Sequence, residues 1–421
     1  MKEVNACIIT IGDELLIGQT IDTNSAYMAQ QLNKIGIWVK RRIAIGDARE
    51  EILTTLKEQS KDCTVVLLTG GLGPTADDIT KPTLCEYFQA KLVVDEGALQ
   101  NVKDIFTRFN RPLIERNLKQ AEVPDNCLVL PNRRGTAPGM WWKKDGVIYV
   151  SLPGVPNEMK GLMEHSVLPK LEAELELQAV AHRTLLTSGV GESTIADTIE
   201  EFENNLPGHI KLAYLPAYGL VRLRLTARGS NKEATEKQVD EQFEKLKPLV
   251  KTWMVADTDI SLEESVSRLL KSRNKTLATA ESCTGGYIAH LITSRAGSSA
   301  IYKGSIVSYA NEVKENVLGV RPETIQQHGA VSEPTVTEMI RGALKTIKAD
   351  YAVATSGIMG PDGGTPEKPV GTVWIAVGNK NQTKAFPYLF RYDRTRNIET
   401  TAQTALSLLR RFILEEEDVA D

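Results

Sequence analysis

Cysteine and histidine are both scarce in this sequence. The five cysteines are widely scattered and form no C-x-x-C pair; they are Cys7, Cys63, Cys85, Cys127 and Cys283. This pattern argues against a disulfide framework and against a thiolate zinc site. Of the five histidines, only His290 and His328 follow residue 257, so the last part of the chain is poorly supplied for a Ser-His-Asp triad.

Long apolar runs and a strong excess of one charge are also absent. The short apolar run near residue 8 is interrupted by Gly12, Asp13 and Glu14, which excludes a signal-peptide core and a membrane span there. A net charge of -4 gives no general attraction to nucleic acid or anionic lipid. We therefore expect a cytoplasmic protein whose partners are small molecules, without membrane association.

The composition is that of a globular protein with several domains. The 421 residues are too many for one ordinary core, and 42% of them are hydrophobic and 25% charged. Changes in the pattern along the chain predict domains at residues 1–170, 171–256 and 257–421.

Alternating strand and helix patterns predict an α/β fold for the first and last domains. Residues 5–12 and 63–71 are β-rich runs that end in glycine, and residues 25–36 and 78–90 have helical patterns after them. This alternation favours a parallel sheet. The last domain repeats the alternation, whereas strand-like and helical runs between residues 182 and 250 predict a small α+β module.

The stretch "ATAESCTGG" places a serine where a strand turns into a helix. Residues 276–280 read as a strand and residues 284–294 as a helix, so Ser282 lies at the turn between them. Unpaired N–H groups and the helix dipole favour an anion or oxyanion at such a turn. Ser282 can equally be a plain helix N-cap, and the adjacent Cys283 is a rival nucleophile because a thiolate is intrinsically stronger.

The stretch "SYANEVK" supplies a candidate base. It predicts Tyr309 at a strand end and Lys314 in the first turn of a helix that Asn311 can cap. A lysine there can simply be exposed, but a desolvated lysine has a lowered pKa and can act as the base of a Ser-Lys pair.

Two further stretches of the last domain suit a phosphate or a planar ring. The glycine-rich residues 357–371 form a loop between two strands, which can bring backbone amides close to a ligand or can be a plain connection. Arg394 and Arg396 precede a helix, and arginine suits bidentate phosphate contacts, although either can be a surface charge.

The first domain has a glycine-rich turn followed by two aspartates, "TGGLGPTADD". Gly71, Gly73 and Ala76 match a dinucleotide fingerprint, but the turn does not open the fold and a proline follows its second glycine, which disfavours that reading. Asp77 and Asp78 are hard oxygen ligands beside a phosphate-type loop, as Mg²⁺ or Mn²⁺ sites require, although two aspartates can also simply begin a helix.

Four stretches of the last domain, "AESCTGG", "SYANEVK", "TSGIMGPDGGTPEKPVGTVW" and "YDRTR", resemble the C-terminal domain of the CinA (competence/damage-inducible) family. The resemblance implies a nicotinamide mononucleotide deamidase with Ser282 as nucleophile, Lys314 as base and Tyr309 assisting, and without a cofactor. It implies these substrate contacts: Thr284, Gly285, Gly286, Asn311, Ser356, Gly357, Arg394 and Arg396. The family's Gly-Asp-Arg reads Tyr392-Asp393-Arg394 here, which leaves open which arginine contacts phosphate.

The front domain is similar to the molybdopterin-binding-like domain of the same family, through "TIGDELLIGQTIDTNS", "TGGLGPTADD" and "SLPGVPNEM". This implies metal-dependent hydrolysis of ADP-ribose, with Asp77 and Asp78 holding a divalent ion (Mg, Mn or Co). The implied nucleotide site comprises Glu14, Asp22, Asn24, Gly70, Gly71, Gly73, Pro153 and Gly154. The resemblance covers essentially the whole chain and implies two α/β domains that flank a KH-like module. It also implies that two such chains form a homodimer.

The KH-like module reads "SGVGES" where nucleic-acid-binding KH domains carry G-x-x-G, so we expect an interface role instead of RNA binding.

For the last domain we expect acyl transfer in which backbone amides at the start of the helix after Ser282 hold the oxyanion. Two alternatives stay open: a binding protein that senses pterins or pyridine nucleotides without turnover, and molybdopterin adenylylation by the front domain.

Overall fold

The computed structural model describes residues 4–75 and 78–416. It divides into two compact units. The first runs to residue 181 and also takes in residues 227–237; the second comprises residues 182–226 and the chain from residue 238 onward. Across the described ranges, no helix is both long enough and apolar enough to span a bilayer.

The elements of the first unit alternate between strands and helices. In chain order they are β1 (Asn5–Ile11), α1 (Asp13–Leu16), α2 (Thr23–Lys34), β2 (Trp38–Ile45), α3 (Arg49–Gln59), β3 (Val65–Thr69), α4 (Thr80–Phe88), β4 (Leu92–Val94), α5 (Glu96–Arg108), α6 (Glu115–Leu118), β5 (Glu122–Pro124), β6 (Leu128–Leu130), β7 (Gly139–Lys144), β8 (Val147–Leu152), α7 (Pro156–Leu162) and α8 (Leu168–Glu174). A 3-10 turn at Lys119–Ala121 and a π-helical turn at Met163–Val167 complete it.

A six-stranded sheet in the order β2-β1-β3-β8-β7-β6 organises the first unit. Strands β2, β1, β3 and β8 are parallel, with Ile9 opposite both Ile43 and Leu68. Alternate residues of β1 belong to two separate cores: Ile9 packs with α3 and α4, and Ile8 packs with α2 and α7. Helices therefore cover both faces, which is why the central strands are continuously apolar.

The elements after residue 178 form the middle module and the C-terminal domain. They are β9 (Ala179–Ser188), α9 (Glu192–Asn204), β10 (Ile210–Ala217), β11 (Leu220–Gly229), α10 (Lys232–Leu249), β12 (Met254–Ala256), α11 (Leu262–Ser272), β13 (Leu277–Glu281), α12 (Tyr287–Thr293), β14 (Tyr302–Val307), α13 (Asn311–Asn316), α14 (Pro322–His328), α15 (Glu333–Ile347), β15 (Tyr351–Gly357), β16 (Thr372–Asn379), β17 (Thr383–Leu389) and α16 (Arg394–Glu415). A 3-10 turn lies at Ser298–Ala300.

The C-terminal domain is built on a five-stranded sheet in the order β14-β13-β15-β16-β17. The first three strands are parallel, with Ala280 opposite Ile306 and Ala354, and the last two are antiparallel. The middle module has its own sheet in the order β10-β11-β9-β12. The carboxyl ends of β13, β14 and β15 lie at one edge, where open α/β sheets bind ligands.

The predicted fold class is confirmed: two α/β domains flank a small α+β module. The parallel sheet that the alternation favoured is present in β2, β1, β3 and β8. Antiparallel pairs extend the sheets at one edge, through β7 and β6 in the first and through β16 and β17 in the second. The turn between β7 and β8 is Asp145-Gly146, with φ +52 and +78, a sequence typical of a two-residue hairpin. The domain limits at residues 170 and 256 stay predictions.

Candidate functional site

The proposed nucleophile lies in a tight turn at the end of a central strand. Strand β13 ends at Glu281 and α12 begins at Tyr287, so Ser282 is the first residue of the connection, as predicted. Its backbone N–H donates to Thr355 O on the neighbouring β15 (2.9 Å). Ser282 is 8% exposed and lines a cavity, so its hydroxyl is neither fully buried nor on the open surface.

The carboxylate of Glu281 lies at the N-terminus of α12, and this residue was not singled out from the sequence. Its carboxylate is completely buried and accepts five hydrogen bonds. The donors are Thr279 Oγ1 (3.1 Å), Thr284 Oγ1 (2.8 Å), Gly286 N (3.1 Å), Ile288 N (3.0 Å) and Ala289 N (2.9 Å). The acidic residue directly before the serine was a visible signal, but its buried position was not.

This arrangement corrects the expected oxyanion site. The N–H groups of Gly286, Ile288 and Ala289 already donate to Glu281, so these amides of α12 do not face a substrate oxyanion. A negative carboxylate beside a helix N-terminus is favourable for the same reason that an oxyanion would be. The protein's own side chain thus occupies the position that the sequence predicted for the reacting group.

Lys314 is buried beside the same turn. It is 1% exposed, and its Nζ donates to Ser308 O (2.7 Å) and Tyr309 O (3.2 Å). Burial lowers the pKa of Lys314 below the ordinary lysine value. The neutral amine has two N–H groups, which can donate hydrogen bonds to these two carbonyl oxygens. Its lone pair then remains free to accept a proton.

The helix that carries Lys314 differs from the prediction in detail. Helix α13 has only six residues; Ala310 is its N-cap, Asn311 is its first residue, and no side chain caps it. Asn311 therefore does not cap the helix, and Lys314 lies in the last turn instead of the first. A cation near a helix C-terminus is electrostatically well placed, so the position of Lys314 on the helix is ordinary. The unusual feature of Lys314 is that its side chain is buried.

The predicted catalytic residues and several predicted substrate contacts share one cavity of about 190 Å³. Its lining includes Ser282, Cys283, Tyr309, Asn311, Lys314, Ser356, Gly357 and Arg394. Ser356 Oγ donates to Ala330 O (2.7 Å), which fixes that wall. These residues span more than a hundred positions of the chain, and the ends of β13, β14 and β15 bring them together.

Thr284, Gly285 and Gly286 line a neighbouring cavity instead, with Tyr287 and Glu399 among its other walls. The Thr284 hydroxyl bonds inward to Glu281 and to Thr355 Oγ1 (2.8 Å). These three predicted contacts therefore shape the turn behind Ser282.

The two candidate arginines have different surroundings. Arg394 lines the cavity, where its Nη1 donates to Gly360 O (2.7 Å) and its Nη2 donates to Tyr309 OH (3.1 Å). The Arg396 guanidinium lies 4.0 Å from the centre of the Tyr392 ring, as in a cation–π contact. Arg394 is thus the arginine whose geometry fits a ligand in the cavity.

Cys283 lies next to Ser282 but its thiol is poorly suited to attack. The residue is 5% exposed, and burial raises the pKa of the Cys283 thiol to about 12. Because the thiolate is the reactive form, this pKa leaves almost none of it at neutral pH.

In the first unit, the predicted nucleotide residues gather where β1, β3 and β8 end. Asn24 Nδ2 donates to Gly154 O (2.7 Å), and Thr69 Oγ1 donates to Pro153 O (2.8 Å). Gly70 has φ +117, and a Cβ there would meet Ile11 O at 2.1 Å, so only glycine fits. Within the described chain, the buried Asn24 Oδ1 has no hydrogen-bond partner, which suits a donor on a ligand.

The predicted acidic residues of the first unit mostly have structural contacts. Asp22 caps α2 by accepting from Ser25 N (2.9 Å) and also accepts from Thr10 Oγ1 (3.2 Å), while Glu14 is exposed on α1. Asp78 accepts from Gly73 N (2.8 Å) and Thr75 N (2.9 Å), and so closes the glycine-rich loop on itself.

The described residues do not complete a metal site in the first unit. Asp77, a predicted ligand, lies outside the described residues, and both oxygens of Asp78 are engaged by the loop. Elsewhere in residues 4–75 and 78–416, no group of three or more His, Cys, Asp or Glu is arranged to hold a metal. The predicted divalent ion therefore stays a prediction.

Three stretches of the chain match known family models. Residues 7–173 match the "Probable molybdopterin binding domain", residues 182–255 the "Damage-inducible protein CinA KH domain" and residues 259–413 the "CinA C-terminal domain".

Similar proteins extend over the whole chain. A "CinA-like protein" of Cytophaga hutchinsonii is 46% identical over 412 residues, which is 98% of this chain and 99% of that protein. A "CinA-like protein" of Flavobacterium psychrophilum is also 46% identical, over 413 residues, 98% of this chain and 99% of that one. Among solved structures, the competence damage-inducible protein A (ComA) of Klebsiella pneumoniae is 41% identical and covers 35% of this chain and 92% of its own, with a TM-score of 0.35.

Proposed function

Because this chain belongs to the CinA family, we propose that its C-terminal domain is a nicotinamide mononucleotide amidohydrolase. It would convert the carboxamide of its substrate to a carboxylate and release ammonia. The observation that carries the proposal is that Ser282 and the buried Lys314 line the same cavity.

The reaction proceeds by acyl transfer through the serine. Neutral Lys314 accepts the proton of Ser282 Oγ as that oxygen attacks the carboxamide carbon. The C–N bond then breaks, the ammonium form of Lys314 returns a proton to the leaving nitrogen, and ammonia departs. Water, deprotonated by the same amine, cleaves the resulting ester to give nicotinate mononucleotide and free Ser282.

The surrounding side chains suit this substrate. The Arg394 guanidinium presents a cation to the cavity and retains N–H groups for a phosphate beyond its bonds to Gly360 and Tyr309. The side-chain donors that line the cavity also include Tyr309 and Asn311. Because the N–H groups of Gly286, Ile288 and Ala289 donate to Glu281, these side-chain donors are candidates for stabilising the oxyanion.

For the first unit we propose binding and hydrolysis of ADP-ribose to AMP and ribose 5-phosphate. The specific support is the strand-end cluster of Asn24, Gly70 and Gly154, in which the buried Asn24 Oδ1 has no hydrogen-bond partner within the described residues and can accept from a ligand donor. The divalent ion that the family resemblance implies is part of this proposal, but no step is assigned to it.

Both proposals are tested by one set of incubations. The purified protein is mixed with nicotinamide mononucleotide or with ADP-ribose, each with and without EDTA, and ammonia and AMP are measured separately. We expect ammonia release that EDTA does not affect and AMP release that EDTA abolishes. Stoichiometric binding without ammonia would indicate a non-catalytic binding protein, and consumption of ATP with a pterin would indicate adenylylation by the first unit.

A further inference from the structure

Glu281 connects three elements around the proposed nucleophile. Its carboxylate receives one hydrogen bond from within β13 (Thr279), two from the turn (Thr284 and Gly286) and two from α12 (Ile288 and Ala289). It does not line the catalytic cavity, so it has no direct contact with a substrate there.

We propose that Glu281 is a positioning residue, a role that rests on the proposed amidohydrolase. Its carboxylate holds the turn of residues 282–286 in the one conformation in which Ser282 Oγ faces Lys314 and the substrate. It does so without taking part in any proton transfer or bond formation.

Within the turn, Gly285 N donates to Ser282 O (3.2 Å) and Tyr287 N donates to Thr284 O (3.0 Å). The Glu281 carboxylate adds the bonds that tie this turn to β13 and α12. Gly285 and Gly286 have φ of +58 and +96, a region that glycine enters and leaves freely. A Cβ at Gly285 would meet nothing within 4 Å, and one at Gly286 would meet only Val307 Cγ2 at 3.5 Å. Packing therefore does not fix these two residues, whereas the bonds to Glu281 hold Thr284 before them and Gly286 itself.

Only a carboxylate satisfies all five donors. In a glutamine, an NH₂ group in place of Oε1 would face Thr279 Oγ1 and Ala289 N. In place of Oε2 it would face Thr284 Oγ1, Gly286 N and Ile288 N. Either orientation sets donors against donors, so Glu281→Gln keeps the side-chain shape but releases part of the turn.

The test compares Glu281→Gln with Asp350→Asn. Asp350 is a matched control because it holds the opposite end of β13, accepting from Thr276 N (2.8 Å) and Thr276 Oγ1 (2.7 Å). Two rates are measured: ammonia release from nicotinamide mononucleotide, and covalent labelling of Ser282 by phenylmethylsulfonyl fluoride, followed by mass spectrometry. Melting temperatures are recorded for all variants.

We expect Glu281→Gln to lower kcat and the Ser282 labelling rate by about 10²-fold, the loss that a misplacement of about 1 Å produces. The KM and the midpoint of the pH profile should stay near wild type, since neither the binding groups nor Lys314 change. Asp350→Asn should keep both rates within about twofold even if its melting temperature falls equally.

Equal kcat and labelling rates in wild type and Glu281→Gln would overturn the positioning role while leaving the amidohydrolase intact. Two other results together would overturn the amidohydrolase alone: no ammonia release by the wild type, and slower Ser282 labelling in Glu281→Gln than in the wild type. If Glu281→Gln does not fold, Thr284→Val removes one donor and keeps the carboxylate. It should lower kcat by about tenfold at unchanged KM, and an unchanged kcat would reject the proposal.

Discussion

Two neighbouring side chains of the catalytic cavity respond to burial with opposite chemical consequences. Burial disfavours the charged form of any group, so the pKa of Lys314 falls and the pKa of the Cys283 thiol rises to about 12. For the lysine this enriches the neutral amine, which is the form that accepts a proton. For the cysteine it removes the thiolate, which is the form that attacks.

This difference predicts the pH dependence of deamidation. Because Lys314 must be neutral to accept the serine proton, kcat/KM should rise with pH and level off above the lowered pKa of Lys314, at a lower pH than that at which free lysine titrates. Lys314→Arg supplies a permanent cation but no base, and it should lose about 10³-fold of the activity on the plateau above that pKa. A Lys314→Arg variant with wild-type rates would show that the site needs only a cation.

The residues of this site were only partly predictable from the sequence. Ser282, Lys314 and Tyr309 were predicted from motifs, and the structure brings all three to one cavity. Glu281 was missed because its five donors come from three elements whose approach depends on the turn conformation. The choice between Arg394 and Arg396 also required the structure, since both lie in the first turn of α16 and only their directions differ.

At the scale of elements, the start of α16 separates the two arginines. Asp393 caps the helix by accepting from Arg396 N (3.0 Å). The Arg394 side chain contacts Gly360 O, whereas the Arg396 guanidinium lies over the Tyr392 ring. Tyr392 thus gives Arg396 an aromatic partner.

This geometry predicts unequal effects of two matched substitutions. Arg394→Gln should raise the KM for nicotinamide mononucleotide at least about tenfold, since a charge-assisted contact to phosphate is lost. Arg396→Gln is the control and should change the KM by no more than about twofold. Steady-state ammonia release over a range of substrate concentrations measures both, and the reverse order would reassign the phosphate contact to Arg396.

Strand direction shows a further limit of the sequence. The ends of β1 and β3 were correctly predicted. These strands are buried on both faces and therefore read as continuous apolar runs, and a glycine marks the end of each run. The antiparallel strands β7 and β16 were not distinguished from parallel ones, since apolar content alone does not encode direction. The Asp145-Gly146 turn is a local sequence signal for the hairpin of β7 and β8.

At the scale of the whole molecule, each candidate site draws its residues from one unit. The strand-end cluster of Asn24, Gly70 and Gly154 belongs to the first unit, and the cavity of Ser282 and Lys314 belongs to the second. The chain therefore carries two candidate reaction centres, each within one unit.

Asp78→Ala should show this separation. The substitution removes the acceptor of Gly73 N and Thr75 N, so the glycine-rich loop loses its closure and AMP release from ADP-ribose should fall by at least about 10²-fold. Ammonia release should stay within about twofold of wild type. Asp95→Ala is the control, because Asp95 holds Ala98 N at the start of α5 in the same unit, and it should retain AMP release. Wild-type AMP release by Asp78→Ala would remove this loop from the front site.

The central claim is that Ser282 is a nucleophile, and ammonia release by Ser282→Ala tests it most directly. Removing the covalent path should reduce the rate with nicotinamide mononucleotide to near background, a loss of about 10³-fold or more. Cys283→Ala, measured in parallel, should retain most of the activity because its buried thiol is protonated. Substantial activity in Ser282→Ala together with an inactive Cys283→Ala would contradict the account and make the cysteine the attacking group.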